Sequence, residues 1–455
     1  MLKFESFMSP GRKGHLIGIG GVSMSSLAEV LSGMGLKITG SDICENDNVV
    51  ALEEKGFKVY LGHWSENIEP DTEFIVRTAA VRDDNPEIVE ARSRNIPVFE
   101  RTQAWGAISG GYRNALCISG THGKTTTTSM CTHILMAADE DPTVMIGGTL
   151  PLLHSGHRVG KGNTIVMEAC EYMRSFHALH PTVAVILNVE HDHADCYPTL
   201  KDVQEAFRIF AESVPEDGCI IANMDDESTM ATLAGINREI ITFGLTSQAD
   251  VYAQNIKYID DNSEFDIYYK GEKFTDIILH VPGIHNVKNA LAATAAMISL
   301  GIRPSAVKYG LAGFTGAGRR FEFKGRYNGA DVYDDYAHHP GELEALLDAV
   351  SNLHYRRTVL AFQPHTYSRT VSFFDDFVKQ LSRPDVTLLA EIYAAREKNT
   401  FGISSADLAA KIPGAEFYPT FDELEEALIE KARPGDLILT VGAGDIYLVG
   451  ENLVE

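Results

Sequence analysis

The chain has 455 residues, 44% of them hydrophobic and 22% charged, with a formal net charge of −24. That length supports several cores, while the acidic balance excludes the basic face that nucleic acid or an anionic membrane requires. No apolar run reaches the roughly 18 residues of a membrane span. The six cysteines form no C-x-x-C pair, so a cytoplasmic protein with reduced thiols is expected.

Short apolar runs alternate with helical stretches from His15 onward, and the pattern predicts a parallel α/β domain over residues 1–110. Its first turn, Gly18-Ile-Gly20-Gly21-Val-Ser23, follows a strand and opens a helix. Asp42 stands about where an acid would meet a ribose. Ser23 replaces the third glycine of the dinucleotide fingerprint, so a diphosphate role and a plain tight turn both stay open.

A second α/β block, 111–316, begins with Ala115–Ser129. An apolar strand, a glycine-bounded turn and a helix start follow without a gap. Gly120-Thr121-His122-Gly123-Lys124-Thr125-Thr126 therefore predicts an ATP-type site. Turn and helix N–H groups face the phosphates, Lys124 adds charge, and Thr125 offers a hydroxyl to Mg²⁺. Glu168 and His193 end or follow the next strands, at the sheet edge where ligands gather, and would share that metal. A zinc set of Cys170, His191, His193 and Cys196 has no standard spacing. Asn286 and Asn289 stand at a helix start, as caps or as partners of an adenine edge.

The third block, 317–455, alternates again. Arg319-Arg320 follow a glycine linker and suit phosphate clamping. Asp334-Asp335-Tyr-Ala-His338-His339-Pro340 closes a strand, where paired acids and histidines rarely serve packing. In Phe362–Arg369, His365 and Arg369 are placed to hold a carboxylate, and Gly442-Ala-Gly-Asp445 exposes another turn.

In this order, these motifs resemble the Mur ligases of peptidoglycan synthesis over the whole chain. The resemblance implies three domains: a Rossmann-like N-terminal domain, a central P-loop ATPase-type α/β domain and a C-terminal Rossmann-like domain. It implies ATP-dependent joining of L-alanine to UDP-N-acetylmuramate through an acyl phosphate. A recycling ligase that joins a tripeptide to the same nucleotide sugar is the alternative. Gly18, Gly20, Gly21 and Asp42 would then touch the UDP moiety, and Gly120–Thr126 the triphosphate. Thr125, Glu168 and His193 would hold Mg²⁺, Asn286 and Asn289 adenine, Asp335 the ribose and Arg320 the phosphates. His365 and Arg369 would lie near the amino acid, with His338 or His339 as base. Thr366 stands where alanine-adding members often carry Arg, and Cys170-Glu-Tyr-Met-Arg174 replaces an acidic run.

Overall fold

The computed structural model describes residues 3–454 apart from 79, 194–195, 260–261 and 396. The chain divides into two compact units. The first comprises Met1–Val189, Gln204–Phe243 and Ala292–Val307; the second comprises Glu190–Val203, Gly244–Leu291 and Lys308–Glu455.

In the first unit, β1 (Lys13–Ile17), β2 (Lys37–Asp42), β3 (Lys58–Leu61), β4 (Phe74–Arg77) and β5 (Val98–Glu100) form a parallel sheet ordered β3-β2-β1-β4-β5. Strand order reverses beside β1, so the turn after β1 occupies the crevice where doubly wound sheets bind ligands. Ile17, Ile68, Ile75 and Ile88 pack one face against the helix Pro86–Ser93. That helix starts as its sequence dictates, with Pro86 in its first turn and Asn85 Oδ1 accepting the Glu87 N–H.

A second sheet of this unit contains β6 (Asn114–Ser119), β7 (Thr143–Leu150), β8 (Ser155–Arg158), β9 (Thr164–Glu168), β10 (Val183–Ile186), β11 (Cys219–Asn223) and β12 (Glu239–Gly244). Their order is β12-β11-β10-β6-β9-β7-β8, with only β8 antiparallel to its neighbour. Here β6 stands at the switch point. The helix Lys124–Ala137 that follows it lies against β7 and β9.

The second unit holds an antiparallel meander of β13 (Val251–Ile259), β14 (Asn262–Tyr269) and β15 (Glu272–Leu279). It also holds a sheet of β16 (Glu322–Tyr327), β17 (Ala330–Asp335), β18 (Arg357–Phe362), β19 (Val386–Ala390), β20 (Glu416–Tyr418) and β21 (Asp436–Val441), ordered β16-β17-β21-β18-β19-β20. All but β16 run parallel. Two apolar layers cover its faces, one around Val359, Leu388 and Ile438 and the other around Leu360, Phe362 and Leu439. The alternation of neighbours on one strand between the two layers is the period-2 geometry of a sheet covered on both sides. Among the described residues, no helix is long and apolar enough to cross a membrane.

Candidate active site

The glycine turn after β1 is clamped by the acid that the sequence pairs with it. Gly20 N–H donates to Asp42 Oδ2 at 2.8 Å, Asn48 Nδ2 donates to the Gly20 carbonyl, and the N–H groups of Gly18 and Ile19 both donate to the Ser41 carbonyl. A Cβ on Gly20 would lie 2.7 Å from Asn46 Nδ2, 2.8 Å from Val49 Cγ2 and 2.9 Å from Asp42 Oδ2. Gly20→Ala is therefore expected to lower stability by about 1–3 kcal/mol, the usual range for overpacking. Comparing urea midpoints of variant and wild type checks this, and equal midpoints would contradict the close approach.

The loop after β6 has the form a phosphate cradle needs. Gly120 (φ +145°) and Gly123 (φ +85°) adopt backbone geometry open to glycine, and a Cβ on Gly120 would meet Leu187 Cβ at 2.8 Å. Gly123 caps the helix Lys124–Ala137 without a side-chain cap hydrogen bond. Asn188, just past β10, fixes the loop from outside: His122 N–H donates to its Oδ1 at 2.7 Å, and Thr121 N–H donates to its carbonyl.

Lys124 is folded onto this loop, with Nζ donating to the carbonyls of Gly120 and Thr121 and lying 3.0 Å from Glu171 Oε2. Burial alone would lower its pKa. The negative charge of Glu171, with Cys170 and Glu168 beyond, outweighs that and holds it above the ordinary lysine value. Glu171, from the run that departs from the family pattern, is thus the ammonium's buried partner; spacing gave no sign of it.

Glu168 ends β9 next to β6, in register with Ile118, so its carboxylate shares the strand edge that carries the loop. Gly147 N–H donates to Glu168 Oε1 at 2.8 Å, and a Cβ on Gly147 would come within 2.8 Å of Oε2. Thr125 opens the helix and is half-buried; Thr126 behind it is buried. A carboxylate and a hydroxyl at one strand edge form a hard oxygen donor set that fits Mg²⁺. His193 belongs to the second unit and is described there.

In the second unit, β17, β21 and β18 are adjacent, and their carboxyl ends gather most of the remaining motifs. Arg319 (φ +56°) is committed to structure. Its guanidinium bonds Asp334 Oδ2 at 2.8 Å and the carbonyls of Gly442 and Gly444, and it lies over Tyr447 at 4.5 Å. Arg320 has a looser environment, 3.9 Å from Glu342 Oε1 and over Tyr336 at 5.1 Å. Asp335 accepts the N–H groups of Phe321 and Ala337, each at 2.8 Å. Burial, only partly opposed by Arg320, pushes its carboxyl up to about 6.

The two histidines after Asp335 differ in their surroundings. His339 caps the helix Pro340–Ser351: its Nδ1 accepts the Gly341 N–H, while Glu342 returns to the His339 N–H. His338 rests its Nδ1 on the Tyr336 carbonyl at 3.0 Å, and burial pushes its pKa down to about 3. It is neutral at pH 7 and a weak base. Its ring lies 5.6 Å from that of His365, which stacks on Tyr393. Burial and the Arg369 charge lower His365 to about 4, so its Nδ1 accepts from Arg369 Nη1 at 3.2 Å.

Arg369 Nη2 donates to both oxygens of Asp192, at 3.0 and 3.3 Å; both side chains are more than nine-tenths buried. Burial would raise the Asp192 carboxyl, but Arg369, His193 and His339 hold it well below the carboxylate range. Among the described residues, Arg369 Nε is buried without a hydrogen-bond partner. His193 (φ +54°) stands beside Asp192, its Nε2 3.7 Å from Oδ2. Thr366 adopts φ +66° and donates its N–H to the Tyr393 carbonyl.

Asn286 and Asn289 open the helix Ile284–Ser299 and are buried. Asn286 Nδ2 donates to the Pro282 carbonyl, and Asn289 Nδ2 to Asn286 Oδ1. A cavity of about 510 Å³ opens alongside, lined by His285, Tyr258, Glu344 and Asp348. Burial, with Arg320 nearby, pushes His285 down to about 4.

Three sequence models of Mur ligase domains match the chain in order. They are the Mur ligase family catalytic domain over residues 13–113, the middle domain over 118–297 and the glutamate ligase domain over 319–444. A UDP-N-acetylmuramate–L-alanine ligase of Clostridium novyi is 43% identical over 458 residues, covering 100% of both chains. One of Agathobacter rectalis is 44% identical over 97% of each. Among solved structures, the UDP-N-acetylmuramate-alanine ligase of Thermotoga maritima aligns with a TM-score of 0.81 at 29% identity, over 97% of this chain and 98% of its own.

Proposed function

The chain belongs to the Mur ligase family, and on that premise we propose that it joins L-alanine to UDP-N-acetylmuramate at the expense of ATP, a cytoplasmic step of peptidoglycan synthesis. The observation that carries the reading is the loop Gly120–Lys124 at the switch point of its sheet, in a chain whose 43–44% identical relatives bear that ligase name. The same relatives leave the tripeptide-joining alternative unfavoured.

Amide formation from a carboxylate requires a better leaving group than oxide. In this reading the lactyl carboxylate attacks the γ-phosphorus of ATP, the bond to the β-bridging oxygen breaks, and an acyl phosphate and ADP result. The amine of L-alanine then attacks the acyl carbon and phosphate departs. Loop N–H groups bind the phosphates, while Lys124 and Arg320 balance the charge spread over the phosphoryl oxygens. Thr125, Glu168 and His193 are the residues that would hold Mg²⁺, which when bound neutralises phosphate charge. The paired amides of Asn286 and Asn289 at the start of the helix Ile284–Ser299 support an adenine role, and Asp335 a ribose role.

The amine must lose a proton during attack. His338, neutral and lowered to about 3, is a weak base; His339 spends Nδ1 on the helix cap. A helix-capping Nδ1 keeps the His339 ring proton on Nε2, with no lone pair left for the amine proton; His338, whose Nδ1–H faces the Tyr336 carbonyl, keeps a lone pair on Nε2 and is the one we assign as base. In domain terms, the reading gives residues 1–110 to the nucleotide sugar, 111–316 to ATP and 317–455 to the amino acid.

The test is phosphate release from ATP and Mg²⁺ with UDP-N-acetylmuramate against L-alanine, L-serine, glycine and tripeptide. Release that needs both the sugar nucleotide and L-alanine is expected. Release with tripeptide alone would move the activity to recycling.

A further inference from the structure

The turn after β18 carries His365 and Arg369, and a carboxylate from another loop holds it in place. The helix Tyr367–Ser372 has only six residues, and Thr366 at its N-cap makes no side-chain cap bond. A threonine there ordinarily turns its hydroxyl onto the N–H of the second or third helical residue. Glu397 supplies that cap instead, from 29 residues along the chain. One of its oxygens accepts the Ser368 N–H at 3.0 Å, and the other accepts the Ser368 hydroxyl. Both residues are half-buried.

The backbone so held is strained. Thr366 lies at φ +66° and ψ +145°, an outlier for a β-branched residue. Such a conformation persists only where the surrounding structure imposes it. On the near side, the Tyr393 N–H donates to the Pro364 carbonyl at 2.8 Å and the Thr366 N–H donates to the Tyr393 carbonyl at 2.9 Å. His365 stacks on the Tyr393 ring. On the far side stands the double bond from Ser368 to Glu397. His365 precedes the strained residue, Arg369 follows Ser368, and Arg369 Nη1 donates to His365 Nδ1 at 3.2 Å.

Stability of the turn gives no reason for this arrangement. A glycine at 366 would take a positive φ without strain, and a threonine that capped its own helix would need no distant acid. L-alanine offers few atoms to bind, so its affinity depends on groups already held in place more than on contact area. Asp192 anchors one edge of the Arg369 fork, and the clamp on Ser368 fixes the backbone from which the fork projects. The charge of Glu397 also reaches His365, where it opposes the lowering by burial and by Arg369.

We propose that Glu397 is a positioning residue for the amino-acid substrate: through its two bonds to Ser368 it sets the angle at which His365 and Arg369 meet the carboxylate of L-alanine. The inference rests on the reading that these two residues face L-alanine.

The test measures phosphate release by wild type, Glu397→Ala, Glu397→Gln, Ser368→Ala and the double alanine variant, varying each substrate in turn and recording melting temperatures alongside. In Glu397→Ala the KM for L-alanine should rise about tenfold, the scale of one lost charge-assisted hydrogen bond. Values of kcat and the KM for ATP and UDP-N-acetylmuramate should hold. Glu397→Gln, whose amide oxygen can still accept the Ser368 N–H, should limit the rise to about threefold. Ser368→Ala keeps the N–H bond and should also raise this KM about threefold. Added to Glu397→Ala it should change nothing more, because both act through one contact. A wild-type KM for L-alanine in Glu397→Ala, or independent effects in the double variant, would overturn the role of Glu397 and leave the ligase reading standing. An equal rise in all three KM values with a lowered melting temperature would overturn it too, confining Glu397 to the fold. If Glu397→Ala does not fold, Glu397→Gln decides, and a wild-type KM for L-alanine there overturns the proposal. Wild-type turnover with tripeptide and not with L-alanine would overturn the reading beneath, and this inference with it.

Discussion

Lys124→Met should reduce turnover by roughly 10³-fold or more, the scale on which removing one cation from a transferring phosphoryl group acts. The structure adds a second consequence. Lys124 is the close cation of Glu171, whose side chain is only 3% exposed. Taking it away removes the close cation of a buried carboxylate, at a cost of about 3 kcal/mol for a buried pair broken on one side. The single variant should therefore be both inactive and less stable, which confounds a simple activity assay. Lys124→Met combined with Glu171→Gln separates the effects. The carboxylate charge is then gone, so chemical denaturation should return most of the lost stability while turnover stays absent. Recovery of turnover in the double variant would mean that Lys124 serves the fold and not the phosphoryl group. A single variant with wild-type turnover would remove the loop from the mechanism altogether.

Local features of the chain were legible for a physical reason: they are contiguous. The run Ala115–Ser129 encodes strand, turn and helix start in one stretch, and β6, the loop and the helix Lys124–Ala137 follow it. That Asp42 stands near the turn after β1 was readable because a βαβ unit brings the end of β2 there; its bond from the Gly20 N–H was not. Strands that break the pattern were not legible. The segment Thr143–Leu150 carries two glycines and a register shift against β8, so it lacks the even alternation that marks a strand. The helical stretch after β18 is divided at Phe373, where backbone geometry leaves the helical region between Tyr367–Ser372 and Phe374–Leu381.

Pairs distant in sequence were beyond reach. Asp192 and Arg369 stand 177 residues apart, and Glu87 and His15 stand 72 apart. Nothing local to any of the four announces its partner. Composition carries the expectation that an acidic chain gathers its arginines and lysines wherever it meets an anion. What it could not say is that several of those cations are already held by the protein's own acids, Arg319 by Asp334 and Lys124 by Glu171.

The same competition makes Arg369 the most revealing position in the second unit. A guanidinium has five N–H donors in a rigid fork. Asp192 takes Nη2, His365 accepts from Nη1, and Nε is buried with no partner among the described residues. One edge is thus anchored by the fold, and a donor remains unused on the other. That is the arrangement expected of a residue that must present a fixed charge to an amino-acid carboxylate. Arg369→Ala should lower stability by about 3 kcal/mol, because the buried Asp192 loses its close guanidinium. Arg369→Lys keeps a charge for Asp192 but cannot serve both edges, so it should retain more stability than the alanine variant. Its KM for L-alanine should nevertheless rise at least about tenfold, as expected when a fork is replaced by a point charge. The KM for ATP should hold. Denaturation curves and initial rates on the two variants decide between roles. A stability loss with an unchanged KM for L-alanine would confine Arg369 to the ion pair, whereas unchanged stability in Arg369→Ala would mean that Asp192 finds another partner and that the anchor is not what orients the fork.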